Sequence, residues 1–173
     1  METFKKLDKP ILLTYATYLK AYQWDRYKLC FPCGLEPIES ITEDENYGLY
    51  LNHNLIGYGT IMVIEEEKLR YIPNEKWLKN SIHLECGVHK AELSLIIHPK
   101  YQHNGYGKKL LNYMIEEANK NYDSVIAVIY KNNKKSLSLV EKSDFDFLSF
   151  SEDQIIFEKK LDKKDVPKIK SYH

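Results

Sequence analysis

The residues best suited to chemistry lie in Gln102-His103-Asn104-Gly105-Tyr106-Gly107, where two glycines stand between an apolar run and an amphipathic one. Glycine at such a junction lets the chain turn tightly and approach a ligand closely. The first amide N–H groups of a helix have no partner within the helix, and its dipole adds partial positive charge there. Together these features form a seat for phosphate, so the segment reads as a pyrophosphate-binding turn. A tight strand-to-helix turn without a ligand would use the same two glycines. The segment has neither the G-x-G-x-x-G spacing of dinucleotide folds nor the G-x-x-x-x-G-K-[ST] of P-loops. Lys108 and Lys109 follow directly, either beside a phosphate or at a solvated helix start.

A second candidate is Cys30-Phe31-Pro32-Cys33, whose C-x-x-C spacing suits a redox pair or half a zinc site. A thioredoxin-like pair needs a βαβ setting, whereas this one follows an N-terminal helical pattern. Tetrahedral zinc needs two more ligands, and the chain offers only Cys86 and the scattered His53, His83 and His89. The expectation is ordinary thiols and no metal. Three cysteines cannot all pair, which fits a reducing compartment.

The elements that must position these residues belong to a chain of 173 residues, a size that suits one domain with a substantial core. Its 25 basic and 25 acidic residues cancel, which argues against a dedicated nucleic-acid binder. The longest purely apolar stretch, Val125 to Tyr130, is far shorter than the roughly 20 residues of a membrane span. The segment METFKKLDKP lacks the apolar core of a secretory signal. A cytoplasmic location with no membrane or nucleic-acid partner is therefore expected, and a homodimer is left open.

Ile11, Leu12, Tyr15, Tyr18, Leu19 and Tyr22 fall at helical spacing after Pro10, predicting a helix that ends at the Pro32 and Gly34 segment. The runs YGLYL and LIGYGTIMVI, separated by Asn52-His53-Asn54, predict a hairpin. Residues 70–81 read as an irregular excursion, with a β segment resuming near Ile82 and a strand over Ala91 to His98. Leu110, Leu111, Met114, Ile115, Ala118 and Tyr122 mark a helical face. A doubly covered strand over Val125 to Tyr130 and a short helix near Asn133 to Lys142 come next. Two strands, near Phe145 to Phe150 and Gln154 to Leu161, complete a mixed α/β layout, with 1–161 as a single domain and 162–173 as a polar tail.

The stretch from Ala91 to Ala118 resembles motif A of the GNAT acetyltransferase superfamily, [QR]-x-x-G-x-[GA], with Gln102, Gly105 and Gly107 at the signature positions. Asn133 to Phe145 resembles the family's motif B, N-x-x-[AS]-x-x-[FL]-Y-x-[KR]-x-G-F, through Asn133, Ser136, Leu139, Lys142 and Phe145. Val140 stands in place of the usual Tyr and Asp144 in place of Gly. The resemblance covers about residues 10–161 and implies a central, mostly antiparallel twisted sheet flanked by helices, with a V-shaped splay between the fourth and fifth strands. It implies a bulge in the central strand that opens that V.

The resemblance implies an N-acetyltransferase that moves the acetyl group of acetyl-CoA directly to a primary amine of a small molecule or peptide, without metal. Pyrophosphate would sit on the amides from His103 through Asn104, Gly105, Tyr106 and Gly107 to Lys108. Asn133 would contact the pantetheine or cap its helix, and the backbone near Ile96 and Ile97 would pair with the pantetheine arm. The amine must lose a proton before it attacks, which makes a carboxylate a candidate base. Glu92 resembles the family's catalytic Glu, with Glu85 as a rival. Val140 cannot act as the usual general acid, leaving Tyr106 or Tyr130 as substitutes, or a CoA-binding module without efficient turnover.

Overall fold

The computed structural model describes residues 1–8, 45–64, 82 and 85–162. The expected N-terminal helix, Cys30 and Cys33, the 70–81 excursion and most of the polar tail lie outside the described residues. Among the described residues, seven strands form one mixed sheet: β1 (Glu2–Lys6), β2 (Glu45–Leu51), β3 (Asn54–Val63), β4 (Lys90–Ile97), β5 (Ser124–Tyr130), β6 (Asp146–Phe150) and β7 (Gln154–Lys160). Their spatial order is β1-β2-β3-β4-β5-β7-β6. Every neighbouring pair is antiparallel except β4 and β5, which run parallel. Two helices, α1 (Tyr106–Ala118) and α2 (Lys134–Glu141), follow β4 and β5 respectively.

The sequence pattern assigns no strand to the first eight residues, yet β1 lies antiparallel on β2. Its charged residues hide the signal. Phe4 anchors it by stacking on Tyr113 of α1 with 4.7 Å between ring centres, and Leu7 is buried beyond it. The hairpin turn is tighter than the polar triplet implies. Asn52 and His53 alone form it, with φ of 48° and 69°, while Asn54 already belongs to β3. Two successive left-handed residues meet the twist that a two-residue hairpin requires. The strand expected near Ile82 is also absent among the described residues. Ile82 lies in a bend, buried against Ile126, Val128 and Ile156. Gly87, at φ 81°, then turns the chain ahead of β4.

The main core lies between the sheet and α1, whose Leu110, Leu111, Met114 and Ala118 are buried. Gly57 and Gly59 of β3 make this close packing work, because a Cβ at either position would collide with a side chain that now fills the space. At Gly57 that neighbour is Ile97, 2.7 Å away, and at Gly59 it is Met114. As its unbroken apolar run predicts, β5 is covered on both faces. Val125, Ala127 and Ile129 face the α1 core, and Ile126 and Val128 join the smaller cluster with Ile82.

The β4–β5 ladder consists of three pairs, Lys90↔Ser124, Ala91↔Val125 and Glu92↔Ile126. Beyond them the strands separate into the expected V. The cause differs from the bulge implied by the family resemblance, because β3 and β4 keep one register from Gly57↔Ile97 to Val63↔Ala91. All seven residues of β5 pair with β7, so β5 follows β7 while β4 stays with β3. A polar clamp holds the closed end. Glu158 of β7 accepts from Lys90 Nζ at 2.9 Å and from Ser124 Oγ at 2.7 Å, joining three strands.

Burial works against the Glu158 charge, but hydrogen bonds from Lys90 and Ser124 outweigh it and hold the carboxyl below its ordinary range. A depressed folded-state value contributes stability above the unfolded value of about 4.3, and this is lost as pH falls through the folded value. Glu158→Gln is therefore expected to cost about 1–3 kcal/mol near neutrality. Thermal unfolding should show the gap between variant and wild type shrinking from pH 7 toward pH 3. A gap independent of pH would mean that the charge is not its source.

Candidate active site

The site is built where β4 ends. His98 Nδ1 accepts from the Lys100 amide at 3.2 Å and starts a single 3-10 turn, Pro99–Tyr101. Gln102 turns back and donates from Nε2 to the Ile97 carbonyl at 2.9 Å, while Asn104 donates to the Gln102 carbonyl at 3.0 Å. His103 and Gly105 take left-handed φ of 66° and 79°, bringing the chain round to the start of α1. Gly105 is the N-cap of α1 and supplies no side-chain hydrogen bond. The first-turn amides are thus left without the side-chain oxygen that usually satisfies one of them.

These amides face a cleft of about 830 Å³. One wall is β4 at Leu95, Ile96 and Ile97, the next is the turn and the start of α1, and the third is α2. Gly107 leaves a gap between the walls that a Cβ would fill in ordinary contact. A Cβ there would stand 3.7 Å from Leu139 and 3.9 Å from Ile97. Lys108, Lys134, Lys135 and Lys142 all border the cleft, and no Asp or Glu is among its described lining residues. In a chain with no net charge, this concentrates cations at one place.

The alternation of an antiparallel ladder decides which β4 peptide groups face the V. The His98 amide donates to the Ile56 carbonyl and the Ile64 amide to the Lys90 carbonyl, so even-numbered residues of β4 direct their peptide groups toward β3. Odd-numbered residues direct theirs toward β5. Of the two peptides expected in the V, Ile97 therefore faces it and Ile96 is held in the β3 ladder. Leu95 takes the place of Ile96, a substitution legible only once the register is known.

Of the residues singled out by sequence, Ile96, Ile97, Gln102, His103, Gly105, Tyr106, Gly107, Lys108 and Asn133 line this one cleft. Asn104 and Glu92 do not line it. Asn104 instead braces the turn. Glu92 is buried at the last pair of the β4–β5 ladder, where the V begins to open. Glu85 is exposed in the turn before β4. Lys109 points away and pairs with Glu2 of β1 at 2.6 Å, leaving Lys108 as the lysine beside the turn. Tyr106 borders the cleft, whereas Tyr130 is not among its lining residues. Val140 is buried in the main core and brings no hydroxyl group. Lys135 and Ser138 carry no role in the sequence pattern, although their i, i+3 spacing places them on one face of α2, and Lys142, a motif B residue, borders the cleft from the C-cap.

Motif B is explained by its backbone. Asn133 caps α2, its Oδ1 accepting from the Ser136 amide at 3.3 Å. Asp144 has φ 59°, the left-handed conformation for which glycine is the usual residue. Asn133→Ala is expected to lower stability by about 1 kcal/mol, while Asn133→Asp keeps the cap. Asp144→Gly should gain about 0.5–1 kcal/mol by relieving the backbone. Denaturant midpoints for the three variants check these signs.

Comparison with known proteins finds the same fold. Among solved structures, yncA from Salmonella typhimurium, determined with its cofactor acetyl-CoA, is 18% identical, with a TM-score of 0.62 over 98% of this chain and 99% of that one. NAA60 from Arabidopsis thaliana, in complex with acetyl-CoA, is 13% identical, with a TM-score of 0.66 over 92% and 98%. The GNAT domain of S. lividans PAT is 10% identical, with a TM-score of 0.70 over 91% and 89%. At these identities the likeness is one of fold. No curated protein sequence matches the chain. The sequence model of the acetyltransferase (GNAT) family matches residues 12–145, and the chain belongs to that family of acetyl-transferring proteins.

Proposed function

We propose that the chain is an acetyl-CoA-dependent N-acetyltransferase acting on a primary amine of a small molecule or peptide, within a single domain over residues 1–161 and in the cytoplasm. One observation carries this reading: the uncapped start of α1 opens into a lysine-bordered cleft, with no carboxylate among its described lining residues, beside the part of β4 that lies beyond the β5 ladder. These residues fit an acyl carrier that has a pyrophosphate and an amide-rich arm. The amides around Gly105 to Lys108 would hold the pyrophosphate, and Lys108 would add charge. The peptide groups of Leu95 and Ile97 would pair with the arm as a further strand does, placing the thioester toward the apex of the V. Asn133 would both cap α2 and meet the arm.

The chemistry asked of the residues is modest. The amine nitrogen attacks the thioester carbonyl, the resulting tetrahedral oxyanion collapses, and the thiolate leaves. A backbone N–H of β4 in the V would stabilise the oxyanion. Glu92, at the apex, would take the amine proton through water. Tyr106 borders the cleft at the phosphate seat, away from the apex, so the thiolate would leave without a dedicated acid, and a CoA thiolate near neutral pH needs little help. Holding amine and thioester together supplies much of the rate.

Val140 favours a second reading, a CoA-binding module without turnover, because the residue is core and no phenol replaces it at that position. Acetyl-CoA mixed with a panel of amines separates the two by the free thiol released. Release above background with any acceptor is the expected result; thermal stabilisation by CoA without release would favour the module. Gly105→Glu puts charge on the seat; its Cβ meets no atom within 4 Å and the left-handed φ of 79° costs about 1–2 kcal/mol, so the variant should fold with slightly lower stability and bind acetyl-CoA at least tenfold more weakly. Unaltered affinity would move the pyrophosphate elsewhere.

Glu92→Gln is expected to lower kcat/KM by about 10²-fold near pH 6.5 and much less near pH 9, where the acceptor is already deprotonated. An unchanged pH–rate profile would remove Glu92 from the mechanism.

A further inference from the structure

This inference rests on the acetyl-CoA reading above. At the cleft, one side chain joins two walls. Lys135, exposed in the first turn of α2, places Nζ 3.4 Å from Gln102 Oε1 and 3.2 Å from His103 Nε2. An ammonium only donates, so the Gln102 oxygen accepts, as does the His103 ring nitrogen in the tautomer that leaves Nε2 without a proton. Gln102 in turn donates from Nε2 to the Ile97 carbonyl. A continuous path, Lys135 to Gln102 to Ile97, thus connects α2 with the end of β4.

Both of these acceptors are neutral. They orient the ammonium but do not compensate its charge, and no carboxylate is among the described residues of the cleft. A phosphate oxygen is a stronger acceptor for an ammonium than an amide or an imidazole. The position matters as much as the charge. Gln102 and His103 lie just before the α1 N-cap Gly105, so the ammonium is held beside the turn that leads into the phosphate seat.

We propose that Lys135 is a ligand of the pyrophosphate, a clasp that reaches from α2 onto the group seated at the α1 N-terminus. It makes the protein select acyl groups carried on a pyrophosphate-bearing nucleotide over the same thioester on bare pantetheine. Gln102 and His103 aim the clasp, and Gln102 ties its position to the β4 edge along which the arm runs.

The test is titration of the full-length chain with acetyl-CoA, acetyl-dephospho-CoA and S-acetylpantetheine, the last taken to millimolar concentration. Lys135→Ala is expected to bind the first two at least tenfold more weakly and the third as the wild type does, and Lys135→Arg should restore most of the loss. Equal loss on all three would make Lys135 a structural brace. Loss confined to acetyl-CoA would assign it to the ribose 3′-phosphate, and no loss on any would remove it from the site; each of these overturns the proposal. The exposed position of Lys135 predicts an unchanged thermal midpoint for both variants. Failure of the wild type itself to bind acetyl-CoA would overturn the underlying reading instead.

Discussion

The organisation of the molecule depends on how little of β4 pairs with β5. Three residue pairs join them, and each strand then follows its other neighbour, β4 with β3 and β5 with β7. In an ordinary sheet the peptide groups of Leu95 and Ile97 that lie beyond the β4–β5 ladder would be a liability, because buried backbone polar groups need partners, and Gln102 supplies one to the Ile97 carbonyl. Here the parting strands leave room for a partner from outside the chain. The separation is stable because its closed end is held by more than backbone. Lys90, Ser124 and Glu158 clamp three strands. Asp123 adds a second tie, accepting from the His89 amide at 2.7 Å. The site is thus an interrupted sheet whose hinge end is made of side chains.

The same logic governs the two helices that frame the cleft. α2 is capped by Asn133, so part of its N-terminal hydrogen-bonding capacity is satisfied internally. α1 begins at a glycine with no cap bond, next to the left-handed His103. A Ser or Asp at position 105 could satisfy an amide at a gain of about 1 kcal/mol, but it would also adopt left-handed φ at a cost and place an oxygen where the proposed anion would sit. Local stability has been given up at α1 and kept at α2. In the proposed reading α1 would keep its first amides for a ligand, whereas α2 satisfies one of its own through Asn133.

Much of this was legible in the sequence because its signals are local. The two glycines near Gln102, the doubly apolar run at Val125 to Tyr130 and the helical face from Leu110 to Ala118 each encode their element within a few residues. β1 was hidden because one aromatic, Phe4, contributes its anchoring contact with α1, and a single residue gives no period. The choice of Leu95 over Ile96 depends on ladder register, which is a relation between strands. The cause of the V was misjudged for the same reason, since partner choice by β5 leaves no mark within β4. Asp144, a departure from the family pattern in composition, conforms to it in backbone conformation.

The neutral net charge of the chain bears on how such a site can work. With 25 charges of each sign, long-range steering of an anionic ligand has no net field to draw on. Exposed lysines contribute little one at a time in water. Discrimination must therefore come at short range, from amides fixed by the α1 turn and from ammonium groups held in place by neighbours. A flexible lysine loses conformational entropy when it meets a phosphate, whereas one already positioned by Gln102 and His103 loses less. The same economy suits the chemical step. With Val140 in the core, the cleft relies less on a dedicated acid than on alignment of the two reactants, and alignment is what the clamped V and the capped α2 provide.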